Sequence, residues 1–277
     1  SYEARKYGIH SAMPIRKAYR LCPHGIFVKG TPGAYSEYSQ RIKNVFLKYS
    51  PVVQMVSLDE AYVDMTGFDK LYGDMEKTAK KLQQEVLDTT GLSCSIGISG
   101  CKVVSKVASD FKKPGGITNT LGKEREFLAP LPVNSLPFIG QKMQQTLSAM
   151  GINTIGKVAK LDEKVMDELF GKAGVTVWKY ANAIDDSKVK LSREIKSVGR
   201  EITFKEDIID YRNVKKSLIY VLERALYDLR QSNLKAKTVT VKLRYSDFKT
   251  ITRAKTLDAG DTLLHFSSHV KEMLDKM

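Results

Sequence analysis

The 277-residue chain reads as an α+β protein of two or three domains. Three observations carry that reading. Between residues 51 and 119, strand-like apolar runs alternate with two helical patterns. From residue 121 to about 183 the pattern changes to short helices. Beyond a polar stretch at 185–190, a long helix, a strictly alternating strand and a last helix form a further region.

Composition narrows the partners. A hydrophobic fraction of 42% and a charged fraction of 27% are those of a water-soluble globular chain. Lysine and arginine number 45 against 31 acidic residues, a net charge of +14, which calls for a polyanion. No apolar run is long enough to span a bilayer, and no basic amphipathic helix has an aromatic face, so nucleic acid is favoured over membrane. Cys22, Cys94 and Cys101 are odd in number and lack paired spacing, which points away from a zinc site or disulfides and towards a reducing, cytoplasmic setting. The opening Ser1-Tyr2-Glu3-Ala4-Arg5 is neither a signal nor a transit peptide.

The first 35 residues are short elements broken by glycine and proline, made basic by Arg5, Lys6, Arg16, Lys17 and Arg20. Such residues suit a phosphate-binding surface as well as an ordinary solvated face. Over 35–49, Tyr38, Ile42, Val45, Phe46 and Tyr49 recur at helical spacing and are expected to face a core. Apolar β-formers flank Asp59-Glu60, which predicts two short strands meeting at a tight turn. Asp74 suits the N-cap of a helix to about residue 89, with Met75, Ala79, Leu82 and Val86 on one face and Gly91 as its stop. Residues 93–99 predict a strand. A helix over 102–112 should bury Val103, Val107 and Phe111, leaving Lys102 and Lys106 one turn apart on its other side. Lys112-Lys113-Pro114-Gly115-Gly116 closes it, and another strand begins at Ile117. Both helices are expected on one face of a single sheet, at whose end the acidic turn and Lys113 would meet.

Leu136-Pro137-Phe138-Ile139-Gly140, followed by a helix over 141–151, has the form of a helix-hairpin-helix element. Amides exposed after Gly140 can hold a backbone phosphate, although an ordinary helical corner accounts for the stretch equally well. Helices near 165–170 and 175–183 follow, with Trp178 expected in the core rather than as a base-stacking platform. Residues 196–204 read as a strand, and a helix over 212–231 turns Leu218, Val221, Leu222, Ala225 and Leu229 inward. The strand 238–245 sets an apolar face against one of Thr238, Thr240, Lys242 and Arg244. Seven basic residues against Asp247 alone between 235 and 255 suggest a surface that tracks a nucleic-acid backbone. Lys102, Lys106, Gly140, Lys242, Arg244 and Arg253 are the candidate contacts. A last helix over 262–277 carries Leu263, Phe266, Val270 and Leu274 inward.

The acidic turn is where chemistry concentrates. Neighbouring carboxylates repel unless a cation lies between them, and Mg²⁺ characteristically takes one or two carboxylates plus substrate phosphates. An isolated Asp-Glu turn is far more often merely solvated; the rest of the chain shifts that balance. Tyr2-Glu3-Ala4-Arg5-Lys6-Tyr7-Gly8-Ile9, Ala12-Met13-Pro14, Ser57-Leu58-Asp59-Glu60-Ala61-Tyr62-Val63-Asp64, Ile96-Gly97-Ile98-Ser99, Lys106-Val107-Ala108-Ser109 and Lys113-Pro114-Gly115-Gly116-Ile117 follow in one collinear order. With them the chain resembles the Y-family DNA polymerases, the translesion class.

The resemblance implies a multidomain right-hand architecture. Fingers would span 1–31, a ferredoxin-like palm 32–119, a helical thumb 120–187, a linker 188–196 and an α+β little finger 197–277. It implies template-directed addition of deoxynucleotides to a primer 3′ end by two-metal phosphoryl transfer. The partners would be primer–template DNA and a deoxynucleoside triphosphate, the cofactor two Mg²⁺ ions, and the working form a monomer. Asp59 would bridge the metals and Glu60 support the one nearest the primer, while Tyr2, Arg5 and Lys113 hold the triphosphate. A non-catalytic DNA-binding protein on the same scaffold is the rival reading. A nucleotidyl cyclase is a third, disfavoured because it has no duplex for the helical and basic regions to grip.

The chain also departs from the family pattern. A first palm strand, carrying another metal-binding aspartate and the aromatic residue that excludes ribonucleotides, should precede Tyr2 and is not in these 277 residues. A further little-finger strand, often followed by a tail that binds a sliding clamp, is expected after Met277. Cys101 stands where asparagine is usual, and Phe138 replaces the first glycine of the hairpin turn. With one metal ligand missing, this polypeptide by itself is expected to be inactive or nearly so.

Overall fold

The computed structural model describes residues 1–191 and 194–277, and the chain divides into two compact units, Ser1–Ser192 and Arg193–Met277. Of the expected linker 188–196, residues 192 and 193 lie outside the described residues.

The first unit opens with the short helices α1 (Tyr2–Arg5) and α2 (Ile15–Leu21), then α3 (Ala34–Tyr49). Strands β1 (Val53–Met55) and β2 (Ala61–Val63) pair antiparallel, Val53 opposite Val63 and Met55 opposite Ala61. After α4 (Asp69–Tyr72) comes α5 (Met75–Thr90). Its first amides, those of Glu76 and Lys77, donate to the Asp74 carboxylate, and it stops at Gly91, whose φ of +71° is the left-handed conformation glycine adopts freely. Strands β3 (Ile96–Ile98) and β4 (Ile117–Asn119) run parallel, joined by α6 (Lys102–Phe111) as the crossover a parallel pair requires.

The sequence predicts one sheet with α5 and α6 on the same face. The structure instead has two separate pairs, β1–β2 and β3–β4, with no ladder between them among the described residues. The helices take opposite sides of β3. Ile96 packs with Val45 of α3 and Leu82 and Val86 of α5. Its neighbour Gly97 faces the other way, where a Cβ would lie 2.0 Å from the Ser105 carbonyl oxygen and 2.6 Å from the Ser109 amide nitrogen. Only a residue without a side chain lets α6 approach this closely. The partner of α5 on the first face is α3.

Helix α6 also belongs to a second core. Val103, Val104 and Val107 join Leu128 of α7 (Glu124–Leu128), Leu147 of α8 (Gln141–Ala149), Ile155 and Val158 of α9 (Ile155–Ala159), Met166 of α10 (Glu163–Phe170) and Val177 of α11 (Lys172–Ala181). Trp178 packs against this core and donates from Nε1 to the Leu161 carbonyl at 2.8 Å, the structural role expected of it. Two inward assignments fail. Phe111 is 53% exposed, edge-on to Phe127, because it is the last residue of α6 and the buried stripe runs through Val104 and Ala108 instead. Tyr38 lies under Arg41 and is 37% exposed, off the α3 face that packs on α5.

The second unit comprises α12 (Tyr211–Gln231), the antiparallel pair β5 (Ala236–Arg244) and β6 (Thr250–Gly260), and α13 (Leu263–Asp275). Its core joins Leu222, Leu226 and Leu229 of α12, Val241 of β5, and Phe266, Val270 and Met273 of α13. The expected strand over 196–204 does not form. A strand exists through backbone pairing, and this segment is held by side chains instead: Arg200 to Asp228 at 2.5 Å, Glu201 to Lys242, and Val198 against the core. No helix among the described residues is long and apolar enough to cross a membrane.

Candidate active site

The turn between β1 and β2 is tightly specified. The amides of Val56 and Ser57 both donate to the Glu60 carbonyl, at 2.8 and 3.3 Å. The Ser57 hydroxyl donates to Asp59 Oδ1 at 2.6 Å and accepts from the amides of Asp59 and Glu60 at 3.3 and 3.1 Å. One serine therefore orients both acidic residues, a local side-chain turn of the kind serine favours. Asp59 is exposed and Glu60 half-buried.

Helix α6 presents its polar stripe to this hairpin. Lys102, Lys106 and Asp110 recur every fourth residue, and Lys113 follows one turn later. Lys106 Nζ donates to Glu60 Oε1 at 2.6 Å and lies 3.1 Å from Asp110 Oδ2, while Lys113 pairs with the other oxygen of Asp110. The result is a row of alternating charge, Glu60, Lys106, Asp110, Lys113. Burial works against the charge on Lys106, but its hydrogen bonds to Glu60 and Asp110 prevail and hold its pKa above the usual lysine value. Burial likewise opposes the Asp110 carboxylate, yet Lys113 and Lys106 keep it below the usual carboxylate range.

One turn earlier, Lys102 Nζ donates to Gln54 Oε1 and to the Lys188 carbonyl, both at 3.2 Å, and lies 5.1 Å from the centre of the Tyr62 ring. The N-terminus of α6 is capped from far along the chain. Cys101 supplies no side-chain cap, and Asp185 Oδ2 accepts from the Val103 amide at 3.0 Å. Gln54 also accepts from the Lys190 amide at 3.0 Å. The segment leaving the helical region thus returns to α6 and β1.

Of the residues singled out in the sequence, Asp59, Glu60, Lys102, Lys106 and Lys113 come together around the hairpin and α6. Tyr2 and Arg5 sit on α1, exposed; among the described residues no hydrogen bond or ion pair links either to the acidic turn or to Lys113. Gly140 is the N-cap residue of α8, whose first amides receive no side-chain acceptor, and Phe138 just before it takes φ +70°. In the second unit, Lys242 and Arg244 share the outer face of the β5–β6 pair with Thr238, Thr240, Thr250 and Thr252. Arg253 lies directly opposite Val241, on the inner face of the pair by register, yet it is itself exposed. Sequence reasoning misses Asp110, Gln54 and Asp185. The first has a signal, a carboxylate four residues after Lys106 and three before Lys113; nothing local signals the other two.

Whether the turn suits a divalent cation follows from its donors. No three His, Cys, Asp or Glu side chains converge into a cage among the described residues. The two carboxylates at the tip, one of them already gripping an ammonium, match the sparse hard-oxygen set with which Mg²⁺ binds alongside substrate phosphates.

Comparison with known proteins gives the chain its family. Family models match in chain order: the impB/mucB/samB family over residues 1–110, the helix-hairpin-helix (HHH) motif of the IMS family over 122–152, and the impB/mucB/samB family C-terminal domain over 195–277. The DNA polymerase IV of Dehalococcoides mccartyi (strain CBDB1) is 38% identical over 258 residues, covering 93% of this chain and 66% of its own length. That of Desulfatibacillum aliphaticivorans is 35% identical over 278 residues, covering 100% of this chain and 70% of its own length. The chain thus spans about two thirds of such relatives. A Y-family DNA polymerase chimera of Dbh and Dpo4 superimposes with a TM-score of 0.89 at 26% identity, over 100% of this chain and 80% of that one. An insertion ternary complex of Dbh DNA polymerase gives 0.69 at 26% identity, over 100% of this chain and 80% of that one. Motif order, sequence identity and fold agree, and the chain belongs to the Y family of DNA polymerases.

Proposed function

We propose that the chain is the main body of a translesion DNA polymerase that adds deoxynucleotides to a primer 3′ end on a template. The observation that carries the reading is the Asp59–Glu60 turn held against α6 by Lys106, with Lys113 joined to the same charge row through Asp110. Asp59 and Glu60 hold Mg²⁺, which when bound stabilises the attacking and leaving oxygens of phosphoryl transfer. Lys113, Tyr2 and Arg5 hold the triphosphate, and the two cations offset charge growing on the departing pyrophosphate. The free amides after Gly140 and the outer face bearing Lys242 and Arg244 grip the DNA backbone without reading sequence. The reading assigns fingers to 1–31, palm to 32–119, thumb to 120–187 and little finger to 197–277. It also takes the enzyme as a cytoplasmic monomer, with a sliding clamp as a further partner.

Residues 1–277 contain two of the three carboxylates the family resemblance calls for, so the decisive readout is binding rather than turnover. Nucleotide affinity is measured over a Mg²⁺ titration, with and without primer–template DNA, for the unmodified chain and Asp59→Ala. Mg²⁺-dependent affinity should appear with the unmodified chain and fall at least tenfold in the variant, the scale of losing a metal ligand's support. Equal affinity in both would sink the assignment. Salt-sensitive duplex binding with no metal-dependent nucleotide binding would favour the non-catalytic reading, for which the prior claim of Lys106 on Glu60 is the supporting observation.

A further inference from the structure

Lys106 stands where the sequence predicts a backbone-binding lysine, yet its ammonium is already engaged. It is the most enclosed member of the charge row, with 29% of its side chain exposed, and it touches Glu60 and Asp110 together. A cation 2.6 Å from Glu60 Oε1 occupies one of the two carboxylate oxygens open to a divalent ion and offsets the charge that would attract it. We infer that Lys106 is a positioning residue that holds Glu60 in the metal-free molecule and competes with the metal for it. The inference rests on the polymerase reading of the acidic turn, and concerns Lys106 rather than the ligands themselves.

The row explains how the competition stays mild. Lys106 does not lose its only counterion when Glu60 turns to a metal, because Asp110 remains 3.1 Å away on the same helix, four residues on. Glu60 is held ready without being locked: a half-exposed pair of this kind is worth little in water, and a divalent ion with phosphate ligands outcompetes it. Asp110 sets the balance. It draws Lys106 away from Glu60, and Lys113 in turn draws on Asp110. Removing Lys106 should therefore free Glu60 for metal, and removing Asp110 should leave Lys106 to Glu60 alone. The two substitutions push metal affinity in opposite directions, which general loosening of the fold cannot do.

The test is direct binding of Mn²⁺, followed by the decrease of its free-ion electron paramagnetic resonance signal, with no nucleotide or DNA present. Lys106→Gln is expected to bind Mn²⁺ roughly fivefold more tightly than the unmodified chain, the upper range for a solvent-screened ion pair. Lys106→Arg, which keeps the charge, should stay near the unmodified value, and Asp110→Asn should bind about twofold more weakly. Adding Glu60→Gln to Lys106→Gln should abolish the gain. Unchanged or weaker binding in Lys106→Gln overturns the inference, as does a gain that survives without Glu60. Nucleotide affinity in the unmodified chain is a separate measurement, so failure of the polymerase reading would show there even if the Mn²⁺ shifts appear as expected.

Discussion

Among the described residues, two antiparallel strand pairs are built on opposite plans. In the first unit, β1 and β2 are three residues each and end in an acidic turn. In the second, β5 and β6 are nine and eleven residues and carry a basic, threonine-rich outer face. A two-stranded pair is marginal alone, so each needs support from elsewhere. The long pair has its ladder and a layer of apolar side chains beneath, including Val241 against Phe266 and Leu222. The short pair is braced by polar groups from outside. Ser50, 1% exposed, donates to the Asp64 carbonyl at 2.5 Å and accepts from the Val52 amide at 3.1 Å. Lys102 reaches Gln54 on one strand and the Tyr62 ring on the other. The difference separates two kinds of task. On the proposed reading, a surface that tracks DNA needs length and tolerates imprecision, whereas two carboxylates meant for a metal need a short, externally fixed turn.

The largest expected effect removes the floor of the long pair. Phe266 is 1% exposed at the centre of the second unit's core, and Phe266→Ala should cost about 3–5 kcal/mol. Trp178, the one tryptophan of the chain, lies in the first unit and reports on that unit alone. On denaturant titration, the circular-dichroism curve of the variant should gain an early phase while the Trp178 fluorescence midpoint stays in place. A shifted fluorescence midpoint would show that the two cores do not stand on their own. A smaller effect is expected at the short pair. Ser50→Ala deletes both hydrogen bonds and leaves the half-buried Asp64 carbonyl and Val52 amide without that partner, about 1–2 kcal/mol by chemical denaturation followed at Trp178. If the variant is as stable as the parent, Ser50 is not among the groups that brace the hairpin.

The two pairs also differ in how legible they are in the sequence. The short hairpin shows because β-formers bracket Asp59-Glu60, and α5 because Asp74 and Gly91 mark its ends with side-chain and backbone chemistry of their own. Strand β5 alternates cleanly and is legible for that reason. Its partner β6 is not, because Lys255 and Arg253 fall on the face opposite Val239 and Val241, so charge interrupts the apolar alternation. Lys255 is tolerated there because His269 and Glu272 of α13 receive its ammonium, each at 3.2 Å, which only the folded chain reveals. The candidate site shows the same division. Lys106, Asp110 and Lys113 form a row that helical spacing makes legible, but that Glu60 meets it depends on a hairpin 46 residues away. The placement of α6 turns on Gly97, whose missing side chain is a single letter in the sequence and a whole helix interface in the fold.

The smallest effects test the long pair as a DNA surface. Lys242 and Arg244 lie on its outer face, where Lys242 pairs with Glu201 and Arg244 Nε donates to Thr250 Oγ1 at 2.9 Å. Neither partner binds them strongly enough to withhold them from phosphate. Replacing both by alanine should weaken primer–template binding at every sequence alike and reduce the slope of log affinity against log salt by about two, one for each phosphate no longer neutralised. Arg253 separates this from a simple effect of net charge. It carries the same charge on the same hairpin and is also exposed, but the register turns it to the other face, opposite Val241. Arg253→Ala should therefore leave the salt slope within about half a unit of the parent. If it instead costs as much slope as Lys242→Ala, charge near the hairpin matters and its face does not, and the division into an inner and an outer surface gives no account of how DNA is held.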